Sequence, residues 1–178
     1  MTLIDEMLDQ DDLTPSYTDP EKNNYTAVST ETVSNLDPAK PVTLAPHDSL
    51  QTAVELMQKQ HIGAIIVADK NRPVGMFTER DILLKVVGKV SNLKEATLKD
   101  YMTPNPVCLH AFDKIAYALN QMTVGGFRHI PVIDRAGLLT GIISVRDIAE
   151  FVASLIPSEV YNIRPEPLRG GFMHVDGG

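Results

Sequence analysis

Gly75-Met-Phe-Thr-Glu-Arg-Asp81 and Gly141-Ile-Ile-Ser-Val-Arg-Asp147 are two versions of one heptapeptide, 66 residues apart in a chain of 178. Each runs from a glycine through two apolar residues to a hydroxyl, then to an arginine and an aspartate. The likeness extends well beyond these strings. Pro41–Met57 (PVTLAPHDSLQTAVELM) aligns without a gap with Pro106–Met122 (PVCLHAFDKIAYALNQM) at an offset of 65. The offset grows to 66 because one turn is a residue longer in the second copy. Self-similarity in fixed order marks a duplicated structural unit.

Each copy reads as strand, helix, strand, strand, helix. In the first, Val42–Leu44 is a short strand, and Asp48 with Gln51 has the spacing of a capping box. Leu50, Ala53, Val54 and Met57 then form one apolar helix face. Gly63–Ala68 is an apolar run too short for a helix, so it predicts a strand buried on both faces. Residues 69–73 predict a turn, Val74–Phe77 a strand, and Thr78 opens a helix to about Val87. The second copy repeats these steps with a strand at 107–109, a helix capped by Asp113, strands at 130–133 and 139–143, and a helix from Ser144 to about Ile156. A polar connector with a helical piece at 98–102 joins them. Neither copy is large enough for an independent core, so the two are expected to pack on each other about a pseudo-twofold axis, giving an α/β (α+β) fold.

The division follows: an acidic head (1–37), a first unit (38–90), a connector (91–103), a second unit (104–156) and a tail (157–178). The net charge of −7 belongs to the head, which holds nine acids and one base, Lys22. The remainder has 15 bases and 14 acids, nearly neutral and without a basic run, which argues against nucleic acid as a partner. The head is expected to be a solvated, disordered segment, with Leu3, Ile4, Met7 and Leu8 as a short apolar cluster. In the tail, Tyr161, Ile163, Leu168 and Phe172 are expected to lie along the module or a sister chain, and Arg164 and Arg169 to stand in solvent rather than reach a phosphate. Cys108 is the only cysteine, so no intramolecular disulfide forms, and a cytoplasmic protein is expected. No apolar run reaches the roughly 18 residues of a membrane span.

Two chemistries suit the repeated string. In one, Thr78 and Ser144 cap backbone N–H groups, and Asp81 and Asp147 complete the cap, with no ligand at all. In the other, a helix N-terminus and a hydroxyl face an anion, Arg80 and Arg146 meet a phosphate, and each aspartate accepts the two hydroxyls of a ribose. Gly75 and Gly141 would let a ligand or another backbone approach closely.

The paired βαββα units, each closed by glycine, two apolar residues, Ser or Thr, and Asp three residues on, resemble the cystathionine β-synthase (CBS) domain. Tyr101–Val107 is similar to the family's entry into its second motif, and Arg128–Asp134 to its middle strand. The resemblance covers about 41–156 and implies a CBS pair, or Bateman module: a disc with two clefts for adenosine-containing ligands. It places Thr78 and Asp81 in one cleft and Ser144 and Asp147 in the other. It also implies that each cleft borrows walls from the opposite copy, with Val42, Thr43, Ala64 and Ile66 on one side and Val107, Cys108, His129 and Pro131 on the other. Arg128 and His129 then stand near phosphate. On this reading the Asp81 cleft is the more positive, favours phosphate-rich ligands, and binds them better as His129 protonates.

A regulatory module for an adenine nucleotide (AMP, ADP or ATP) is therefore expected, acting on a separate protein. S-adenosylmethionine or NAD is the alternative ligand, and an empty dimerisation module the alternative role. No catalytic residue, metal or cofactor is expected. His47, His61, His110, His129 and His174 show no metal-ligand spacing, and Cys108 reads as a small buried hydrophobe. A homodimer is expected through Ile82, Leu83, Val86 and Val87 together with Ile148, Ala149, Phe151, Val152 and Leu155, because these apolar residues cover more than one helix face.

Overall fold

The computed structural model describes residues 28–155. The head up to residue 27 and the tail from residue 156, with the apolar clusters expected in them, lie outside the described residues. The elements are β1 (Thr43–Leu44), α1 (Leu50–Gln60), β2 (Ala64–Asp69), β3 (Arg72–Thr78) and α2 (Glu79–Asp81), which runs on as a π-helix over Ile82–Val86. Then come α3 (Leu98–Tyr101), β4 (Thr103–Pro104), β5 (Leu109–His110), α4 (Ile115–Gly125), β6 (His129–Ile133), β7 (Leu139–Ser144) and α5 (Val145–Ser154).

The duplication is visible in the sheets. One has the order β1-β2-β3-β4 and the other β5-β6-β7. In both, the first strand is parallel to the second and the second antiparallel to the third. The extra residue of the second copy sits in its hairpin. The first hairpin turns tightly through Lys70 and Asn71, both in the left-handed region at φ 47° and 62°. The second needs a longer turn, with Gly137 at φ 77°.

Strand β2 is apolar on both faces because both faces are buried. Ile65 and Val67 point into a core with Leu50, Ala53, Met57 and Phe77. Their neighbours Ala64 and Ile66 point the other way and meet Met76, Leu139 and Ile142. This last cluster is drawn from both copies and holds the units together. Asn71 strengthens the junction, its carbonyl accepting from Leu139 N at 2.8 Å and its side chain donating to Leu139 O at 3.2 Å.

The structure corrects the sequence reading in several places. The head does not end at 37. A 3-10 turn over Val33–Leu36 buries both end residues in the second unit's core, beside Leu109, Ile115 and Ile148. Val33 N donates to Asp113 O, and Ile115 N to Glu31 O. Beside its expected helical piece, the connector runs into a strand, because Thr103–Pro104 forms the fourth strand of the first sheet, opposite Gly75 and Met76. In the second sheet the same edge is taken by Ala39, bridged to Ile142. Both motif glycines serve this crossing. A Cβ on Gly75 would fall 2.2 Å from Met102 Sδ, and one on Gly141 2.7 Å from Pro38 Cβ. The close neighbour is therefore the chain itself.

Asp48 and Asp113 do not cap helices. They close the preceding turns, accepting from Ala45 N and His110 N, each at 2.7 Å. Ser49 caps α1 through Thr52 N, Lys114 takes the equivalent place without a side-chain bond, and Gln51 donates to Glu55 instead. Strand β5 starts at Leu109, so Val107 and Cys108 precede it. The helix after Thr78 leaves α geometry after one turn, with Val87 N donating to Ile82 O.

Candidate functional site

Both heptapeptides end in a reciprocal capping box. Thr78 and Ser144 have extended backbones, which turn the hydroxyl back over the first helical turn. Thr78 Oγ1 accepts from Asp81 N at 3.3 Å, and Asp81 Oδ2 accepts from Thr78 N at 2.9 Å and from its hydroxyl at 2.7 Å. Ser144 and Asp147 repeat this at 3.4, 2.5 and 2.9 Å. The capping chemistry expected of the string is thus complete within the chain.

A cleft of about 850 Å³ opens between the units beside the first box. It brings together six of the residues expected at a site: Thr78, Arg80 and Asp81 from the first unit, and Val107, Arg128 and His129 from the second. It does not bring in the others. Thr43 pairs with Ile66 in the first sheet, and Ala64 and Ile66 lie in the junction between the units. Pro131 sits in β6 opposite Ile142, so it does not wall this cleft as expected. Ser144, Arg146 and Asp147 do not line it, although Ser144 pairs with His129 across the second sheet just before α5 begins.

Sequence reasoning missed much of the lining. Leu83 and Leu84 enter from the π-helix, Asn105 and Pro106 from the chain after β4, and Gly125–Phe127 from the end of α4. The Phe127 ring covers Gly125, leaving no room for a Cβ there. The signal was present in the Gly-Gly-Phe run just before Arg128. Glu79 was also passed over. It lines the cleft 4.0 Å from Arg128, so the positive excess expected here is smaller than the arginines alone suggest. Both partners are largely exposed, and such a pair contributes little to stability.

Arg80 is not free either. Its guanidinium donates to Gly126 O at 3.1 Å, reaching across to the C-terminal end of α4, where carbonyls and the helix dipole favour a cation. Arg146 pairs along its own helix with Glu150 at 2.7 Å. Asp81 is 7% exposed, the one buried charged residue among those described. Its second oxygen holds Lys85 at 2.7 Å and accepts from Thr103 at 3.2 Å.

Burial pushes the His129 imidazole below its usual range, and Arg128 pushes it further, while Asp147 and Glu79 act in the opposite sense. A histidine whose folded pKa is depressed binds protons more readily when unfolded. Stability should therefore fall as pH drops below about 6.5, until the folded imidazole itself titrates. Thermal melts of the protein and of His129→Gln at pH 7.5 and 5.5 check this. The variant should lose less on acidification, and equal losses would show that His129 is not responsible. Burial likewise raises the Cys108 thiol, whose Sγ contacts Pro106 O at 3.4 Å.

The CBS domain family model matches residues 33–88 and 98–154. The chain belongs to the CBS-domain family. Two copies of the domain lie in tandem, and both matches start or end close to the observed units. A CBS domain-containing protein of Arabidopsis thaliana is 30% identical over 120 residues, 67% of this chain but 22% of that protein. An uncharacterized 17.7 kDa protein of Acidianus ambivalens is 34% identical over 119 residues, 66% of this chain and 70% of that one. The CBS chain thus spans only about a fifth of its plant relative. Among solved structures, a putative signal-transduction protein with CBS domains from Burkholderia ambifaria is 28% identical, with a TM-score of 0.65 over 70% of this chain and 95% of that one. The CBS domain pair of protein MJ0100, solved with 5′-methylthioadenosine and S-adenosylmethionine, is 22% identical, with a TM-score of 0.61 over 70% and 98%.

Among the described residues, no helix is long and apolar enough to cross a membrane, and no group of three or more His, Cys, Asp or Glu is placed to hold a metal ion.

Proposed function

We propose that this CBS pair is a non-catalytic regulatory module of the cytoplasm that binds an adenosine-containing ligand, an adenine nucleotide (AMP, ADP or ATP) in the first instance, and passes its occupancy to a separate protein. The observation that carries the reading is the cleft between the units. At about 850 Å³ it is large enough for a nucleotide. Its lining combines apolar surface from Met76, Leu83, Leu84 and Val107 with cations from Arg80 and Arg128. The bound adenosine compounds of MJ0100 support the same class of ligand. By the tandem repeat, Ser144, Arg146 and Asp147 form the corresponding end of a second cleft.

The module is proposed to work as a homodimer. Leu83, Leu84 and Val87 are each more than half exposed on one short helical stretch, and Val152 is exposed on α5. Val86 and Ile148, expected at the dimer face, are buried in their own units and serve the core instead. The empty dimerisation module remains a second reading, favoured by the completeness of the Asp81 bonds inside the chain.

A thermal-shift panel of AMP, ADP, ATP, S-adenosylmethionine and NAD separates the two. A ligand present at 100 times its Kd should stabilise the fold by about 2.7 kcal/mol, a shift of several degrees. No shift with any of the five at millimolar concentration would sink the nucleotide reading.

A further inference from the structure

Asp81 and Asp147 close the same heptapeptide and the same capping box, yet their carboxylates are unequally engaged. An ionised carboxylate offers about four acceptor positions. At Asp81 all four are filled: Oδ2 by the N–H and hydroxyl of Thr78, and Oδ1 by the Lys85 ammonium at 2.7 Å and the Thr103 hydroxyl at 3.2 Å. At Asp147 the Ser144 N–H and hydroxyl fill two, both on Oδ2, and Oδ1 has no hydrogen-bond partner among the described residues.

The repeat explains the difference. The position 66 residues after Lys85 is Phe151, and the residue that meets Ile142 at the second sheet's edge, as Thr103 meets Met76 at the first, is Ala39. Neither side chain can donate. Lys85 is in turn saturated, its three N–H groups matched by Asp81, Thr103 Oγ1 at 3.3 Å and Tyr101 O at 2.9 Å. A ribose hydroxyl seeking Asp81 Oδ1 must displace either a charge partner or a residue of strand β4. Breaking a charge-assisted bond at a part-buried site costs more than one new hydroxyl contact returns.

We infer that Lys85 and Thr103 close the Asp81 end of the cleft to a vicinal diol, so that this cleft holds its nucleotide without reading the 2′-hydroxyl and sugar recognition is left to Asp147. This rests on the nucleotide reading above. It makes Lys85 and Thr103 specificity-determining residues that no feature of the heptapeptide reveals.

The test is isothermal calorimetry with AMP and 2′-deoxy-AMP on full-length protein carrying Asp147→Ala, which leaves the Asp81 cleft to report alone. The two ligands should bind within threefold of each other. Adding Lys85→Met and Thr103→Val frees both acceptor positions, and AMP should then bind at least tenfold more tightly than its deoxy form. Where that triple variant does not fold, Asp147→Ala with Thr103→Val alone frees one position and should favour AMP three- to fivefold. A tenfold preference for AMP already present with Asp147→Ala alone would overturn the inference and leave the nucleotide reading standing. So would the absence of any gain in folded variants lacking Lys85 or Thr103. No heat from either ligand with any protein, the unmodified chain included, would remove the nucleotide reading and this inference together.

Discussion

An aspartate in place of Val33 is expected to cost about 4 kcal/mol, a large part of the reserve of a domain this size. Val33 is 0% exposed and sits among Leu109, Ile115, Ile130 and Ile148. A carboxylate there meets no donor set and must either be buried uncompensated or pull the 3-10 turn off the second unit. The second course also breaks the bonds from Val33 N to Asp113 O and from Ser34 N to Ala111 O. The same substitution at the exposed neighbour Ser34 should change stability by about 0.5 kcal/mol or less. Urea unfolding of the two variants gives the comparison directly. Equal and small losses would mean that the segment before residue 37 contributes nothing to the fold.

The second large effect is expected at Asp81. Its replacement by alanine removes a helix cap, which contributes about 0.5–2 kcal/mol, and also the anchor of Lys85 and Thr103. Because Lys85 is partly exposed and can turn to water, the total is set near 3 kcal/mol rather than at the full value of a buried ion pair. Asp147→Ala removes only its cap and should cost about 1 kcal/mol. The measurement is the difference between the two variants in denaturant midpoint at unchanged slope. A pair of equal midpoints would show that the Lys85 and Thr103 bonds contribute no net stability.

Much of this architecture was legible because the duplication lets each copy check the other. The apolar run at 63–68 announced a strand covered on both sides, and the two faces of β2 confirm it, one in the first unit's core and one in the junction. The longer second turn was readable from the shift in offset between Met57 and Gly75. The failures have physical causes. Adjacent cap-forming residues, Asp48 and Ser49, both satisfy the capping rule, and only the backbone decides which closes the turn and which caps the helix. Thr103 and Pro104 fall at the boundary expected between connector and second unit, where no strand was expected, yet proline is tolerated at a sheet edge, which is where β4 lies. The acidity averaged over 1–37 hid Val33 and Leu36, three residues apart in the stretch that folds.

At the site, the heptapeptides pointed to the motif ends, and Arg128 and His129 were found through the likeness of Arg128–Asp134 to the family's middle strand. Lys85 was not, because a lysine four residues after an aspartate is among the commonest pairings on solvent-facing helices. Only the structure shows that the aspartate of this pair is buried and that Thr103 completes its set of donors. Leu83 and Leu84 were assigned to a dimer face or passed over, whereas the π geometry of 82–86 also lets them line the cleft.

The strand edges carry a consequence for how the chain comes into being. Each sheet is finished by a segment that leads into the opposite unit: Thr103 and Pro104 complete the first, Ala39 the second. During synthesis from the N-terminus, residues 31–39 leave the ribosome early, but their partners at Asp113, Ile115 and Ile142 follow roughly 80–100 residues later. The earliest part of the fold must therefore wait for the latest. Contacts so distant in sequence close slowly, since loop entropy is spent before they form. A nascent chain halted between the two heptapeptides would leave Val33 and Leu36 without their core, a natural handle for a chaperone.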